Sequence, residues 1–229
     1  MNRGAVAVLV LVDISIGSRA WGYARFVVGR FDLYRVPGLG FFKVLGSGHD
    51  SGFGLRPSLS RQGLFCVFDD GAAAETFLDH SPVVAAYRAH AREYFAVTLR
   101  TFSSRGSWAG TALPVSVAAP SDGPIAALTR ASIRPAAARS FWRRAPATEA
   151  SLQQAPGCLL AAGLGEAPVF RQATFSLWDN AQSMDAYARS GAHLQAIQAA
   201  YAQRYFSESM FVRFVPQRLA GVWMGRTYG

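Results

Sequence analysis

The chain of 229 residues carries four histidines, so metal or acid–base chemistry has few places to sit. His49 lies in a Gly/Ser loop after Gly46-Ser47-Gly48, where a solvated residue is the default. His80 and His90 fall among polar neighbours of a helical pattern and read as helix-surface residues. His193 differs. It follows Ser190-Gly191, a pair that interrupts one helix and can cap the next. His193 is therefore expected in the first turn of a new helical segment. The positive end of the helix dipole disfavours imidazolium there, and neutral imidazole is the form that ligates iron. Two readings stand at this point: a packed or exposed helix histidine, or a metal ligand.

Other candidate chemistry is thin. No histidine is joined by a second histidine and a carboxylate at facial-triad spacing. Cys66 and Cys158 stand alone in apolar surroundings and read as buried free thiols. Gly163-Leu164-Gly165 lacks the rest of a dinucleotide fingerprint, and no phosphate loop or nucleophile elbow is present. The pair Asp69-Asp70 precedes a helical pattern, as Asp179-Asn180 does, and reads as a helix cap.

The elements that must position these residues emerge from self-similarity. Phe65-Cys66-Val67-Phe68-Asp69-Asp70 corresponds to Phe175-Ser176-Leu177-Trp178-Asp179-Asn180. Helical patterns follow, over 72–95 and 181–206, each ending in an aromatic pair: Tyr94-Phe95 and Tyr205-Phe206. Tyr187, Leu194, Ile197 and Tyr201 fall on one broad apolar face. Further forward, the strand-like run from Val6 to Leu11 matches the run from Ile125 to Thr129, and Pro37-Gly38-Leu39 matches Pro156-Gly157-Cys158. A histidine at the place of His193 is missing from the first half, which has Ser81-Pro82-Val83 instead.

Each half thus reads β-α-β-β-α-β, the split βαβ order of ferredoxin-like units. The expected fold is α+β: two fused ferredoxin-like repeats forming one barrel of the dimeric α/β type, helices outside. The expected division is 1–113 for the first repeat, 114–123 for a Pro/Ala/Ser-rich join and 124–229 for the second. An apolar cavity is expected between the sheets, lined by aromatics such as Phe65, Phe175 and Trp178.

Composition bounds the function. Charged residues make up only 16%, below the roughly 25% typical of globular domains. The longest clean apolar run, Ala5 to Val12, is too short to span a bilayer, which takes about 20 residues. It is also read as part of the mature protein rather than a leader, so a cytoplasmic product is expected. The net charge of +9 raises nucleic acid as a partner. The arginines are scattered and no DNA- or RNA-binding motif accompanies them, so that class is set aside. Arginines among aromatics suit anionic lipid headgroups equally well. The segment Trp21-Gly22-Tyr23-Ala24-Arg25-Phe26 fits either core packing or a helix lying on a membrane surface.

Several segments, in order across nearly the whole chain, resemble the spheroidene monooxygenase family. They are Pro37 to Lys43 with Gly46-Ser47-Gly48, Gly123 to Arg130, Gly163 to Glu166, Thr174 to Trp178, Met184 to Arg189, and Gly191-Ala192-His193. The resemblance implies oxidation of C-2 of an acyclic carotenoid such as spheroidene, to a hydroxyl and then a ketone through a geminal diol. It implies dioxygen as oxidant, electrons from reduced ferredoxin, and haem as cofactor. His193 falls in the Gly-Ala-His segment and becomes the expected axial ligand of the haem iron, with Arg171 and Arg130 as candidate catalytic arginines beside bound oxygen. Peripheral contact with the inner face of the cytoplasmic membrane goes with such a substrate. The alternatives are a non-catalytic haem- or carotenoid-binding protein, and a cofactor-independent monooxygenase of the same barrel fold.

Overall fold

The computed structural model describes residues 4–48, 57–167 and 169–229, so His49 lies outside the described residues. Every residue of β1 (Val6–Ile14) is buried, because this strand is covered on both faces. Ala7, Leu9 and Leu11 face the barrel interior, while Val6, Val8, Val10 and Val12 face a layer of helices. The period-two alternation of a strand makes that division automatic.

The first half continues with α1 (Arg19–Leu33), β2 (Leu39–Gly48), β3 (Pro57–Phe68), α2 (Gly71–His80), α3 (Pro82–His90) and β4 (Ala91–Gly106). The second has β5 (Ile125–Ile133), α4 (Ala138–Gln153), β6 (Cys158–Ala167), β7 (Arg171–Trp178), α5 (Ala181–Ala188), α6 (Gly191–Ala202) and β8 (Phe206–Trp223), with a short β9 (Arg226–Tyr228) after it. Among the described residues the sheet order is β4-β1-β3-β2-β6-β7-β5-β8-β9, and β4 also pairs with β8. Eight antiparallel strands therefore close on themselves, which leaves those strands no free edge. The α+β barrel expected from the sequence is the fold observed.

The β4–β8 seam is closed by two glycines in corresponding places. Gly106 has φ +80° and Gly221 has φ +108°. A Cβ on either would stand 2.0 Å from a carbonyl oxygen of the opposite strand, Ser209 and Tyr94 respectively. Only glycine permits that approach.

Helix starts follow the expected chemistry. Asp70 accepts a hydrogen bond from the Ala73 amide at 2.9 Å, and Asn180 accepts from the Ser183 amide at 2.8 Å. Two expectations need correction. The helical pattern does not run to Tyr94-Phe95. Ser81 caps a second helix with Pro82 at its first position, and that helix ends at His90. Phe95 then pairs with Leu11 in the sheet and is buried in the barrel. Likewise α6 ends at Ala202 and Phe206 opens β8. The second correction is the interior. It is filled by side chains, with Phe65 stacked on Trp108 at 5.5 Å and both packed against Phe41. Phe65 and Phe175 do point inward, but Trp178 faces the helices and packs on Tyr187.

Candidate functional site

The two helix-facing sides of the sheet differ. In the first half the central rows, read from β2 to β4, are Phe42, Cys66, Val8, Thr98 and then Val44, Leu64, Val10, Ala96. In the second half the corresponding rows, from β6 to β8, are Ala161, Ser176, Ala127, Arg213 and then Gly163, Thr174, Thr129, Phe211. On β5, β6 and β7 alanine, glycine and hydroxyls stand where the first half has larger apolar side chains, whereas on β8 the larger Arg213 and Phe211 stand where β4 has Thr98 and Ala96. Val8, Val10 and Cys66 are fully buried, whereas Ala127, Thr129, Ala161 and Thr174 remain partly exposed beneath their helices.

The helix layer differs in the same sense. α2 and α3 pack directly on β1 and on β3 or β4. α6 rests on α4 and α5, and none of its residues is fully buried. The second half thus has a floor of small residues and a loosely held roof.

His193 stands in the first turn of α6, as its sequence position implied. Its Nδ1 lies 3.4 Å from the Ala188 carbonyl, and its ring is 4.6 Å from that of Tyr187. Tyr187 packs on Trp178 at 5.4 Å and its hydroxyl donates to the Thr148 carbonyl at 3.3 Å. This chain of contacts ties the imidazole to α4, α5 and β7. If Nδ1 carries the proton, Nε2 keeps its lone pair, and among the described residues no partner meets it. Burial lowers the His193 pKa, against a smaller upward pull from the Ala188 carbonyl. The ring is therefore held neutral, with one nitrogen oriented by a backbone oxygen, the arrangement a metal-bound histidine requires.

Arg130 is placed elsewhere. It alternates with Ala126 and Leu128 on the inward side of β5 and is 3% exposed. It meets Glu166 at 3.1 Å and also pairs with Glu208. Lys43 reaches Glu166 at 3.0 Å, and the Trp108 indole donates to the same carboxylate at 2.9 Å. These groups plug one mouth of the barrel. Burial alone raises both carboxyls, but hydrogen bonds outweigh it. Trp108, Lys43 and Arg130 lower Glu166, while the Gly110 amide, Ser107, the Ala109 amide and Arg130 bring Glu208 down to about 2. Asp13, held by Arg61 and Arg92, plugs the opposite mouth. Arg171 begins β7 at an exposed position of the same inward parity. Neither arginine shares a face of the sheet with His193, so the geometry does not bring the three together. The arginine on the helix side is Arg213, bound to Asp185 of α5 at 2.8 Å.

His90 is a packing residue: its ring stacks on Trp21 at 4.2 Å and its Nδ1 lies 2.9 Å from the Ser18 hydroxyl. His80 is exposed at the end of α2. Cys66 is sealed, and burial pushes its thiol well above the ordinary range. Among the described residues no group of three metal-binding side chains occurs. The sequence reading missed the floor of small residues. Its signal was present in the aligned pairs Leu64 with Thr174 and Cys66 with Ser176.

Fold and site together define an α+β barrel built from one chain, with small residues on the helix side of β5, β6 and β7 in its second half. The solved structure of an aldoxime dehydratase shares this fold, with a TM-score of 0.62 at 11% identity, covering 93% of this chain and 81% of that one. A second, an aldoxime dehydratase in complex with butyraldoxime, aligns with a TM-score of 0.57 at 11% identity over 93% of this chain and 79% of that one. No family model matches the chain. Curated relatives are more informative. Spheroidene monooxygenase of Rubrivivax gelatinosus is 56% identical over 99% of this chain and 88% of its own length. That of Rhodobacter capsulatus is 36% identical over 91% of this chain and 88% of its own length. The chain belongs to the spheroidene monooxygenase family.

Proposed function

We propose that this protein is a carotenoid-biosynthesis monooxygenase that introduces a C-2 keto group into an acyclic carotenoid by successive hydroxylations with dioxygen. The observation that carries this reading is the identity of 56% with a spheroidene monooxygenase, sustained over 99% of the chain. We read the helix side of the second half as the place for a haem, a reading supported by His193 in the first turn of α6 and by the small residues of β5, β6 and β7. His193 would hold the iron through Nε2, with Nδ1 oriented by Ala188. Ala127, Thr129, Ala161, Gly163 and Thr174 would line the site. α6, with no fully buried residue, is the element that would have to shift to admit it. Haem held there would supply dioxygen activation, with electrons from a ferredoxin-type donor.

The chain's own contribution is positional. Tyr187 and Trp178 fix the imidazole ring, and its neutral state is kept by burial. Arg130 and Arg171, on the other face of the sheet, have no part in this reading. Contact with a membrane surface is included in it, since the substrate is itself apolar.

The test is an absorption spectrum of protein produced with haem supply, wild type beside His193→Ala, followed by turnover of spheroidene with dioxygen and reduced ferredoxin. A Soret band lost or shifted in the variant, with ketone formed by the wild type, supports the reading. Ketone formation with no Soret band in either protein would move it to the cofactor-independent class. A Soret band with no turnover would leave a binding protein.

A further inference from the structure

α1 is amphipathic the wrong way round for a surface helix. Gly22, Gly29 and Leu33 face the sheet and are buried. The opposite side, where charge is expected, presents Tyr23, Val27, Phe31 and Tyr34 at helical spacing. Val27 is 66% exposed, Phe31 55% and Tyr34 71%. Ile16, at the entrance of the helix, is 74% exposed. The corresponding helix of the other half, α4, offers an internal control, because its exposed residues are Arg139, Arg143, Pro146, Ala147, Ala150 and Gln153, with no large apolar side chain among them. The apolar face of α1 is therefore a property of that helix and not of the fold.

Charge accompanies it. Arg19, Arg30 and Arg35 are exposed, and among the described residues none has a carboxylate partner. The single acid of α1, Asp32, is already neutralised by Arg25 at 2.8 Å. The guanidinium of Arg30 lies 5.2 Å over the Phe31 ring. Apolar side chains that enter acyl chains, beside unpaired arginines that meet phosphate, are the two components of interfacial binding. Among the described residues no helix is long and apolar enough to cross a membrane, so the contact is peripheral.

We infer that α1 is a docking face for an anionic phospholipid surface. The helix also borders the candidate site. A Cβ on Gly46 would lie 3.5 Å from the Phe26 ring, and Gly46 pairs with Gly165 of β6, the strand that edges the second-half floor. A bilayer against α1 would therefore stand beside β2 and the neighbouring second half of the barrel. The inference rests on the membrane-contact part of the function proposed above and names its surface and lipid class.

The experiment is co-sedimentation of the full chain with phosphatidylcholine vesicles, with and without about one third phosphatidylglycerol. The wild type is expected to pellet with the anionic vesicles, less so at high salt, and to stay in solution with the neutral ones. The double variant Val27→Glu, Phe31→Glu should bind about tenfold more weakly or worse. Replacing Arg19, Arg30 and Arg35 by Gln, which leaves every apolar contact in place, should weaken binding about a hundredfold. Wild-type protein that ignores anionic vesicles overturns the inference, as do variants that bind like wild type. So does a wild-type dimer in light scattering that the glutamate variant disperses without lipid, for the face would then belong to a second copy of the chain. No haem, donor or carotenoid enters the measurement, so its failure leaves the oxygenase reading untouched.

Discussion

Arg130 and His193 lie on opposite faces of the same sheet. Arg130 points into the barrel, where two carboxylates hold it, and His193 belongs to the helix layer outside. The first is held in an ion-pair cluster and the second is the proposed ligand, and their variants should fail differently. Arg130→Gln leaves Glu166 and Glu208 short of a buried partner, which should cost about 3 kcal/mol in urea denaturation. The haem spectrum of whatever protein remains folded should be that of wild type. A changed Soret position would mean that the two residues do share a site.

The barrel-mouth carboxylates set an acid limit. Glu208 has a pKa lowered from 4.5 to about 2 in the folded chain, and Glu166 and Asp13 are lowered as well. A depressed carboxylate stabilises the fold above its unfolded value and loses that contribution as pH falls through its folded one. Stability should therefore fall steadily from about pH 4.5 towards about pH 2. Glu208→Gln should be less stable at neutral pH and lose less across that window. Denaturation midpoints at a series of pH values check both slopes.

Filling the floor should separate stability from ligand binding. Thr129→Val with Thr174→Leu gives the second half the Val10 and Leu64 of the first. Burial of the added apolar surface should stabilise the chain by about 1 kcal/mol, raising its melting temperature. Haem uptake in titration should drop at least about tenfold for that same loss of space. Unchanged uptake would place the cofactor elsewhere.

Gly221→Ala tests the seam. The new methyl would meet the Tyr94 carbonyl while the backbone sits at φ +108°, so β4 and β8 must separate. A loss of more than about 2 kcal/mol is expected by thermal melt, and Gly106→Ala should behave alike. The two losses should not add fully, since both act on one pair of strands.

Much of this architecture was legible in the chain. Strand alternation, the capping residues Asp70 and Asn180, and the Ser190-Gly191 break mark local structure through local chemistry. They appear where expected. Phe95 and Phe206 misled, because an aromatic at the end of a helical pattern is equally at home in a strand, and only pairing across the barrel decides. Arg130 looked available for chemistry because its partners, Glu166 and Glu208, are distant in sequence. The floor beneath α6 was hidden for another reason: a gap is defined by side chains that are missing, and Thr174 or Gly163 reads as unremarkable until set beside Leu64 or Val44.

The segment 107–124 joins the two halves covalently, and that join has a consequence for divergence. In a barrel assembled from two copies of one chain, a mutation that hollows one half hollows the other, and the cost in stability doubles. A tether removes that symmetry. One half can remain densely packed and serve as ballast while the other accumulates small residues, a loosened helix and a lone histidine. Asymmetry of this kind is accessible to a fused chain and closed to a homodimer.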